Sequence, residues 1–187
     1  MKMKKKNDLL LIIDMQNVYL PGEEWSCPSM VQAIQHIKTL LDADCTEQVA
    51  FTRFVPPADP VGTWMQYNEE NYRVNQCEYL NEIVEDLKPY LRKWPVYEKS
   101  FYSSFKVEEL MAMAKRADRV VISGVVAECC VLATLMDSID AGHKVVYLTD
   151  CVSGQSEENE AAIQKIAESF APVHTIVTDS KTYLEEV

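Results

Sequence analysis

The chain has 187 residues, of which 48% are hydrophobic and 25% charged, and its formal net charge at pH 7 is −11. This length and balance are typical of one globular domain, which we place over residues 1–187. The negative charge argues against a surface for nucleic acid or anionic membrane, since either needs a basic face. The lysine-rich start precedes an apolar run too short for a secretory signal, so we expect a cytoplasmic protein whose six cysteines are reduced.

Apolar runs and helical spacing alternate along the chain. The predicted elements, in chain order, are strand 8–14, helix 30–41, strand 48–53, a long irregular stretch 54–75, a short helix within 78–91 that ends near Pro89, strand 96–99, helix 107–116, strand 119–123, helix 129–141, strand 144–148, helix 157–170 and strand 174–177. Strands that alternate with helices and read as continuous apolar runs favour a parallel sheet. The fold class is therefore α/β, with a three-layer α/β/α, Rossmann-like arrangement.

An acid, a base and a thiol stand at or just past the ends of predicted strands: Asp14, Lys99 and Cys130. The carboxyl ends of parallel strands share one edge of a sheet, where open α/β sheets gather their active sites. A carboxylate there can take a thiol proton, and a lysine can lower the pKa of the thiol. Each residue also has an ordinary interpretation, as a capping aspartate, a surface lysine and a small buried hydrophobic residue. Their convergence on one edge favours a cysteine nucleophile.

Cys130 is placed in the first turn of the helix predicted over residues 129–141. The unpaired N–H groups and the partial positive charge at a helix start stabilise a thiolate. The same amides, together with those of the preceding turn, can receive the oxyanion that forms when a thiolate attacks an acyl carbon.

Three segments in this order resemble the motifs of one known family, the isochorismatase-like cysteine hydrolases: Asp14-Met15-Gln16-Asn17, the segment Lys99–Phe105 that begins Lys-Ser-Phe-Tyr-Ser, and Gly124–Val131 around the cysteines. The resemblance implies a mostly parallel sheet of about six strands, an Asp14–Lys99–Cys130 triad and a homo-oligomer. It also implies a non-proline cis peptide bond, which we place between Val126 and Ala127, and an oxyanion hole formed by the backbone N–H groups of Ala127 and Cys130.

Metal-binding members of that family carry an Asp-x-His motif and further histidines after the second strand, whereas residues 53–59 here contain no histidine. The three histidines, His36, His143 and His174, are far apart in sequence. We therefore expect no metal and no other cofactor. Vinyl ether cleavage, as in isochorismatases proper, does not need the cysteine, so Cys130 favours amide chemistry.

The aromatic residues beside the motifs, Tyr19, Trp64 and Tyr102, are candidates for the substrate pocket or ordinary half-buried side chains. Arg53 is a candidate for binding a substrate carboxylate or for a surface salt bridge. The principal hypothesis is a metal-independent hydrolase of a small amide or carbamoyl compound that works through a thioester on Cys130.

Two alternatives remain open at this point. One is an isochorismatase-type vinyl ether hydrolase with Asp14 as the acid. The other is a non-catalytic or redox-sensing protein in which Cys129 or Cys151 resolves an oxidised Cys130. Under the principal hypothesis the partner is a small-molecule substrate, with no nucleic acid and no membrane.

Overall fold

Six parallel strands form one sheet in a computed structural model that describes residues 5–186. The order across the sheet is β3-β2-β1-β4-β5-β6. The strands are β1 (Lys6–Ile13), β2 (Thr46–Phe54), β3 (Val96–Lys99), β4 (Arg119–Val125), β5 (Val145–Ser153) and β6 (Thr175–Thr178). The predicted α/β class and strand number are confirmed, and every pairing is parallel.

Helices cover both faces of the sheet. The α-helices are α1 (Met30–Ala43), α2 (Thr63–Glu70), α3 (Tyr72–Asn75), α4 (Glu78–Asn81), α5 (Glu108–Ala114), α6 (Leu132–Asp140), α7 (Glu157–Ser169) and α8 (Ser180–Glu185). Helices α1, α4 and α8 pack in the hydrophobic cluster on one face, and α5, α6 and α7 pack in the cluster on the other. Within the part of the chain that the structure describes, no helix has the length and apolar character that a membrane crossing requires.

Strand β1 lies at the centre of the sheet, paired with β2 on one side and β4 on the other. Its side chains alternate between the two clusters, with Leu10 and Ile12 in one and Leu9, Leu11 and Ile13 in the other. All five are essentially inaccessible to solvent. This double burial explains the uninterrupted apolar run in the sequence, because a strand covered on both faces needs no polar alternation.

The stretch 54–75, predicted to be irregular, contains two helices, α2 and α3. Prolines 56, 57 and 60 keep only its first part extended. The remainder of the stretch, residues 63–75, contains no proline or glycine and can form helix. The short helix predicted within residues 78–91 is present as α4, but it ends well before Pro89. A separate 3₁₀ segment, Glu85–Arg92, follows, because Ile83 pairs as an isolated antiparallel bridge with Gln16 and interrupts the helical run.

Candidate active site

Asp14 directly follows β1 and adopts a left-handed backbone conformation, with φ of 49°. Its backbone N–H donates to the Thr52 carbonyl at 3.2 Å, and its Oδ1 accepts a 2.7 Å hydrogen bond from the Thr52 hydroxyl. Its side chain is fully buried. Aspartate is one of the few residues that tolerate the left-handed region, so the chain can turn here and aim the carboxylate across the sheet edge.

Lys99 is the last residue of β3 and brings a buried ammonium to the same edge. Its Nζ lies 2.7 Å from Asp14 Oδ2 and 3.3 Å from Cys130 Sγ. It also donates to the carbonyl oxygens of Phe101 at 2.9 Å and Tyr102 at 3.0 Å. The structure thus brings the three predicted residues into mutual contact through the lysine.

Cys130 lies in a turn of π-helix, Ala127–Val131, that precedes α6. The helix predicted over residues 129–141 therefore begins differently from the expectation, with the wide turn closed by a 3.2 Å bond from the Val131 N–H to the Val126 carbonyl. The cis peptide bond joins Val125 to Val126, one residue earlier than we placed it. The sequence between the glycine and the cysteine contains two adjacent valines, and the motif alone did not distinguish the register.

Gly124 sets the approach of this turn to Asp14. Its φ is 109°, and a Cβ at this position would lie 2.1 Å from the carbonyl oxygen of Ile13. A side chain cannot occupy that space, so only glycine lets the end of β4 lie against the end of β1. The turn around Cys130 and the Asp14 carboxylate are adjacent for this reason.

The electrostatics of the three groups oppose a preformed thiolate. Burial raises the pKa of the Cys130 thiol well above its ordinary value, and the Asp14 carboxylate raises it further. Lys99 lowers that pKa, as expected from the sequence, but the lysine does not overcome the other two effects. Burial disfavours the Lys99 ammonium, yet its interactions with Asp14 and Cys130 outweigh that effect and raise the lysine pKa. The resting arrangement is a neutral thiol beside an ion pair.

Glu128 connects the Ala127–Val131 turn to the start of α7. Its Oε1 accepts hydrogen bonds from the Gln155 backbone N–H at 3.1 Å and from Asn159 Nδ2 at 2.6 Å. Its Oε2 is buried and has no hydrogen-bond partner among the described residues. No sequence signal predicts this contact, because the partners are about thirty residues away along the chain.

A pocket of about 150 Å³ opens onto the thiol. Its walls are Tyr19, Trp25, Phe54, Tyr67, Asn71, Tyr102, Val126, Cys129, Cys130 and Gln155. Tyr19 and Tyr102 thus lie where the sequence predicted. Trp64 does not line this pocket. It stands behind it, with its ring centroid 5.3 Å from that of Tyr102 and 5.0 Å from that of Tyr67.

Other sequence candidates lie away from the pocket. Ala127 is fully buried in the hydrophobic cluster with α5, α6 and α7, and it is Val126 that reaches the pocket wall. Arg53 pairs with Glu98, and both residues line a separate depression of the surface. The surface-ion-pair interpretation of Arg53 is therefore the correct one in this chain.

Sequence reasoning missed seven of the residues that line the pocket: Trp25, Phe54, Tyr67, Asn71, Val126, Cys129 and Gln155. Two of these, Tyr67 and Asn71, lie in the stretch taken as irregular. Their spacing of four residues puts them on one side of a helix, which is a signal that could have been read. His36, one of the dispersed histidines, pairs with Asp150. Across residues 5–186, no group of three or more His, Cys, Asp or Glu side chains is arranged to hold a metal ion.

Comparison with known proteins connects this geometry to a family. The model of the isochorismatase domain matches residues 8–177. The maleamate amidohydrolase of Pseudomonas putida (strain KT2440) is 27% identical over 180 residues, which cover 91% of this chain and 84% of that protein.

Two solved structures share the fold. An isochorismatase family protein from Desulfovibrio vulgaris has a TM-score of 0.80 at 21% identity, covering 96% of this chain and 97% of its own. A cysteine hydrolase from Pseudomonas syringae pv. phaseolicola has a TM-score of 0.78 at 21% identity, covering 98% of this chain and 93% of its own.

Proposed function

Since this chain belongs to the isochorismatase domain family, we propose that it is a cysteine hydrolase that cleaves the C–N bond of a small amide or carbamoyl compound. The observation that carries the proposal is the contact of one buried ammonium, that of Lys99, with both the Asp14 carboxylate and the Cys130 sulfur. The likeness to a maleamate amidohydrolase supports amide chemistry. A thiol, a proton acceptor and a fixed cation at the end of a pocket are the groups that acyl transfer through a thioester needs.

The first half of the reaction transfers the thiol proton to Asp14. Thr52 occupies Oδ1, while Oδ2 accepts no directional hydrogen bond within residues 5–186 and interacts with Lys99 as an ion pair. Oδ2 is thus the oxygen with capacity for a proton. The thiolate attacks the substrate carbonyl carbon, and the C–N bond then breaks as Asp14 returns the proton to the departing amine, which leaves a thioester on Cys130.

The second half hydrolyses that thioester. Asp14 takes a proton from water, the hydroxide adds to the thioester carbonyl, and the C–S bond breaks to release the carboxylic acid. The sulfur leaves as a thiolate and recovers the proton from Asp14. Lys99 keeps its charge throughout, because its raised pKa favours the ammonium. Its role is to balance the negative charge as it moves between carboxylate and sulfur.

Backbone N–H groups of the turn around Cys130, here called the nucleophile turn, would donate hydrogen bonds to the oxyanion. Cys130 keeps the role inferred from the sequence. For the second donor the pocket geometry favours Val126 over Ala127, since Val126 and Cys130 line the pocket and Ala127 packs in the core. The Val126 N–H would then lie on the same wall as the sulfur that attacks.

The redox alternative receives less support. Cys130 and Cys151 belong to hydrophobic clusters on opposite faces of the sheet, so a disulfide between them requires the layers to rearrange. Cys129 is adjacent in sequence, and a bridge between neighbouring cysteines is strained.

The deciding experiment measures ammonia release from a panel of small amides by wild type, Cys130→Ala and Cys77→Ala. Cys77 is half-buried and lies outside the pocket, so its replacement controls for loss of a thiol. We expect Cys130→Ala to lose at least about 10³-fold in kcat/KM, with an unchanged circular dichroism spectrum, while Cys77→Ala stays active. Near wild-type ammonia release by Cys130→Ala would refute the thioester mechanism. Cleavage of isochorismate that survives in Cys130→Ala would favour the vinyl ether reaction.

A further inference from the structure

We propose that the pocket takes short, uncharged amides and discriminates against amides that carry a carboxylate, an inference that rests on the proposed function. Such a preference would distinguish this chain from the maleamate amidohydrolase that it resembles, because maleamate carries a carboxylate cis to its amide across a C=C bond. The argument comes from the side chains that line the pocket and from where the cations of the region lie.

The pocket walls contain no lysine, arginine or histidine; all ten lining residues belong to the described part of the chain. Five of them are aromatic, and two, Asn71 and Gln155, are neutral amides. Arginine is the usual partner of a bound carboxylate, because its planar fork matches the two oxygens. The nearby arginine, Arg53, is paired with Glu98 at a different depression of the surface.

The Lys99 ammonium cannot serve a substrate carboxylate. It donates three hydrogen bonds, to the Cys130 sulfur and to the carbonyl oxygens of Phe101 and Tyr102, and it forms an ion pair with Asp14. An ammonium donates three hydrogen bonds, so no donor remains for a further group. Its charge is already balanced by Asp14. A carboxylate drawn toward it would compete with the catalytic ion pair.

The polar groups that remain are suited to a neutral ligand. Within residues 5–186 the tyrosine hydroxyls that form hydrogen bonds are those of Tyr90, Tyr97 and Tyr183, which leaves the hydroxyls of Tyr19 and Tyr67, both of which line the pocket, available to a ligand. Burial raises the pKa of each of these phenols above its ordinary value. They remain protonated and can donate to an uncharged carbonyl or accept from an amide N–H.

The negative groups around the pocket add to this preference. Burial and then the Glu128 carboxylate raise the pKa of the Cys129 thiol, which lines the wall. A carboxylate that enters would lose its hydration without gaining a cation, an unfavourable exchange in a site of low polarity. The volume of about 150 Å³ sets the size limit, since a cavity of that order holds a molecule such as benzene.

The test compares maleamate with two substrates of similar shape and no charge, the diamide of maleic acid and the cis isomer of crotonamide. We expect kcat/KM for the better neutral amide to exceed that for maleamate by at least about 10-fold, the factor that corresponds to about 1.4 kcal/mol. Ammonia release that depends on Cys130 but is equal or faster with maleamate would overturn the inference and leave the proposed function intact. Absence of ammonia release from every amide would contradict the proposed function itself.

A second measurement decides the inference even in that last case. Iodoacetamide and iodoacetate differ by the same exchange of amide for carboxylate, and both alkylate thiols without turnover. The quantity measured is the rate with iodoacetamide divided by the rate with iodoacetate, determined at Cys130 by peptide mass spectrometry. We expect this ratio to be at least about 10-fold larger at Cys130 than for a small neutral thiol in solution. This corresponds to the same free-energy difference as above. An equal or smaller ratio would overturn the inference.

Two matched variants test whether the pocket or the net charge of −11 sets this ratio. Gln155→Lys adds a cation at the pocket wall, while Gln66→Lys adds one on the exposed side of α2. Gln155 donates to Glu128 through its backbone N–H, so this hydrogen bond does not depend on the glutamine side chain and can persist in the variant. We expect Gln155→Lys alone to speed iodoacetate severalfold. Equal effects of the two variants would show that overall charge is responsible and would overturn the inference.

Discussion

The Thr52 hydroxyl donates a 2.7 Å hydrogen bond to Asp14 Oδ1, and this bond makes the two oxygens of the carboxylate inequivalent. One oxygen is held by the neighbouring strand, and the other faces Lys99 at 2.7 Å. The carboxylate therefore has a fixed orientation before any substrate arrives. Such preorganisation is what a proton acceptor needs if its transfer is to be fast.

Replacing Asp14 by Asn should separate thiol acidity from catalysis. The Thr52 bond to Oδ1 can persist, but the negative charge that raises the Cys130 pKa is lost while Lys99 remains. We expect the midpoint of iodoacetamide labelling of Cys130 against pH to move downward, together with loss of amide turnover. In wild type the midpoint should lie above that of an exposed thiol. A midpoint that is unchanged or higher in Asp14→Asn would contradict this account. Asp118→Asn is the control, because Asp118 directly precedes β4 and lies at the amino end of the strands, away from the pocket.

Replacing Lys99 by Met should cost stability as well as activity. It leaves the fully buried Asp14 carboxylate without its ion-pair partner, and breaking a buried pair in this way costs about 3–5 kcal/mol of unfolding free energy. The double variant Lys99→Met/Asp14→Asn should recover part of the loss, since no buried charge then stands alone. Urea denaturation followed by circular dichroism measures both. A loss no larger than that of Lys88→Met, whose ion pairs are exposed, would refute the argument.

Glu128 should act as a positioning residue for the nucleophile turn. Glu128→Ala removes both bonds to the start of α7, so we expect kcat to fall about 10-fold and stability to fall by about 1–3 kcal/mol. Glu128→Gln keeps an acceptor oxygen and should retain most of both. If the two variants lose activity equally, the charge of Glu128 matters and its hydrogen bonds do not.

Gly124 and Gly142 offer a matched pair of glycines with positive φ. A Cβ at Gly124 would meet the backbone of Ile13 at 2.1 Å, whereas a Cβ at Gly142 has nothing within 4 Å. We expect Gly142→Ala to cost only the backbone strain, about 1–2 kcal/mol. Gly124→Ala should cost clearly more, and any folded fraction should have low activity because the nucleophile turn is displaced from Asp14. Equal melting temperatures for the two variants would contradict the close-approach argument.

Much of the sheet could be predicted from the sequence because β1, β4 and β5 contain continuous apolar runs. Asp14, Lys99 and Cys130 were recognisable because they carry reactive groups at or just past the ends of predicted strands. The pocket was less predictable. Tyr67 reaches the pocket and Trp64 does not, and that difference depends on how α2 packs against Tyr102, which is a contact between distant segments.

The turn around Cys130 illustrates the same limit at short range. The sequence predicts a strand, a turn and a helix, and all are present. The expected helix start, however, is a π-helical turn, and the expected cis bond lies one residue away. Both details depend on how Gly124 fits against Ile13 and how Glu128 is tied to Asn159. These are tertiary contacts, and local preference does not determine them.

Tyr67 of α2 and Asn71, which lies between α2 and α3, line the pocket, and this length of chain carries none of Asp14, Lys99 and Cys130. Part of the pocket wall is therefore separate along the chain from the three groups to which we assign the chemistry. Under the proposed function, mutations in residues 63–75 should alter the choice of substrate while the strand ends that hold Asp14, Lys99 and Cys130 stay as they are. An exchange of this short segment between relatives would be a modular way for one chemistry to acquire new specificities.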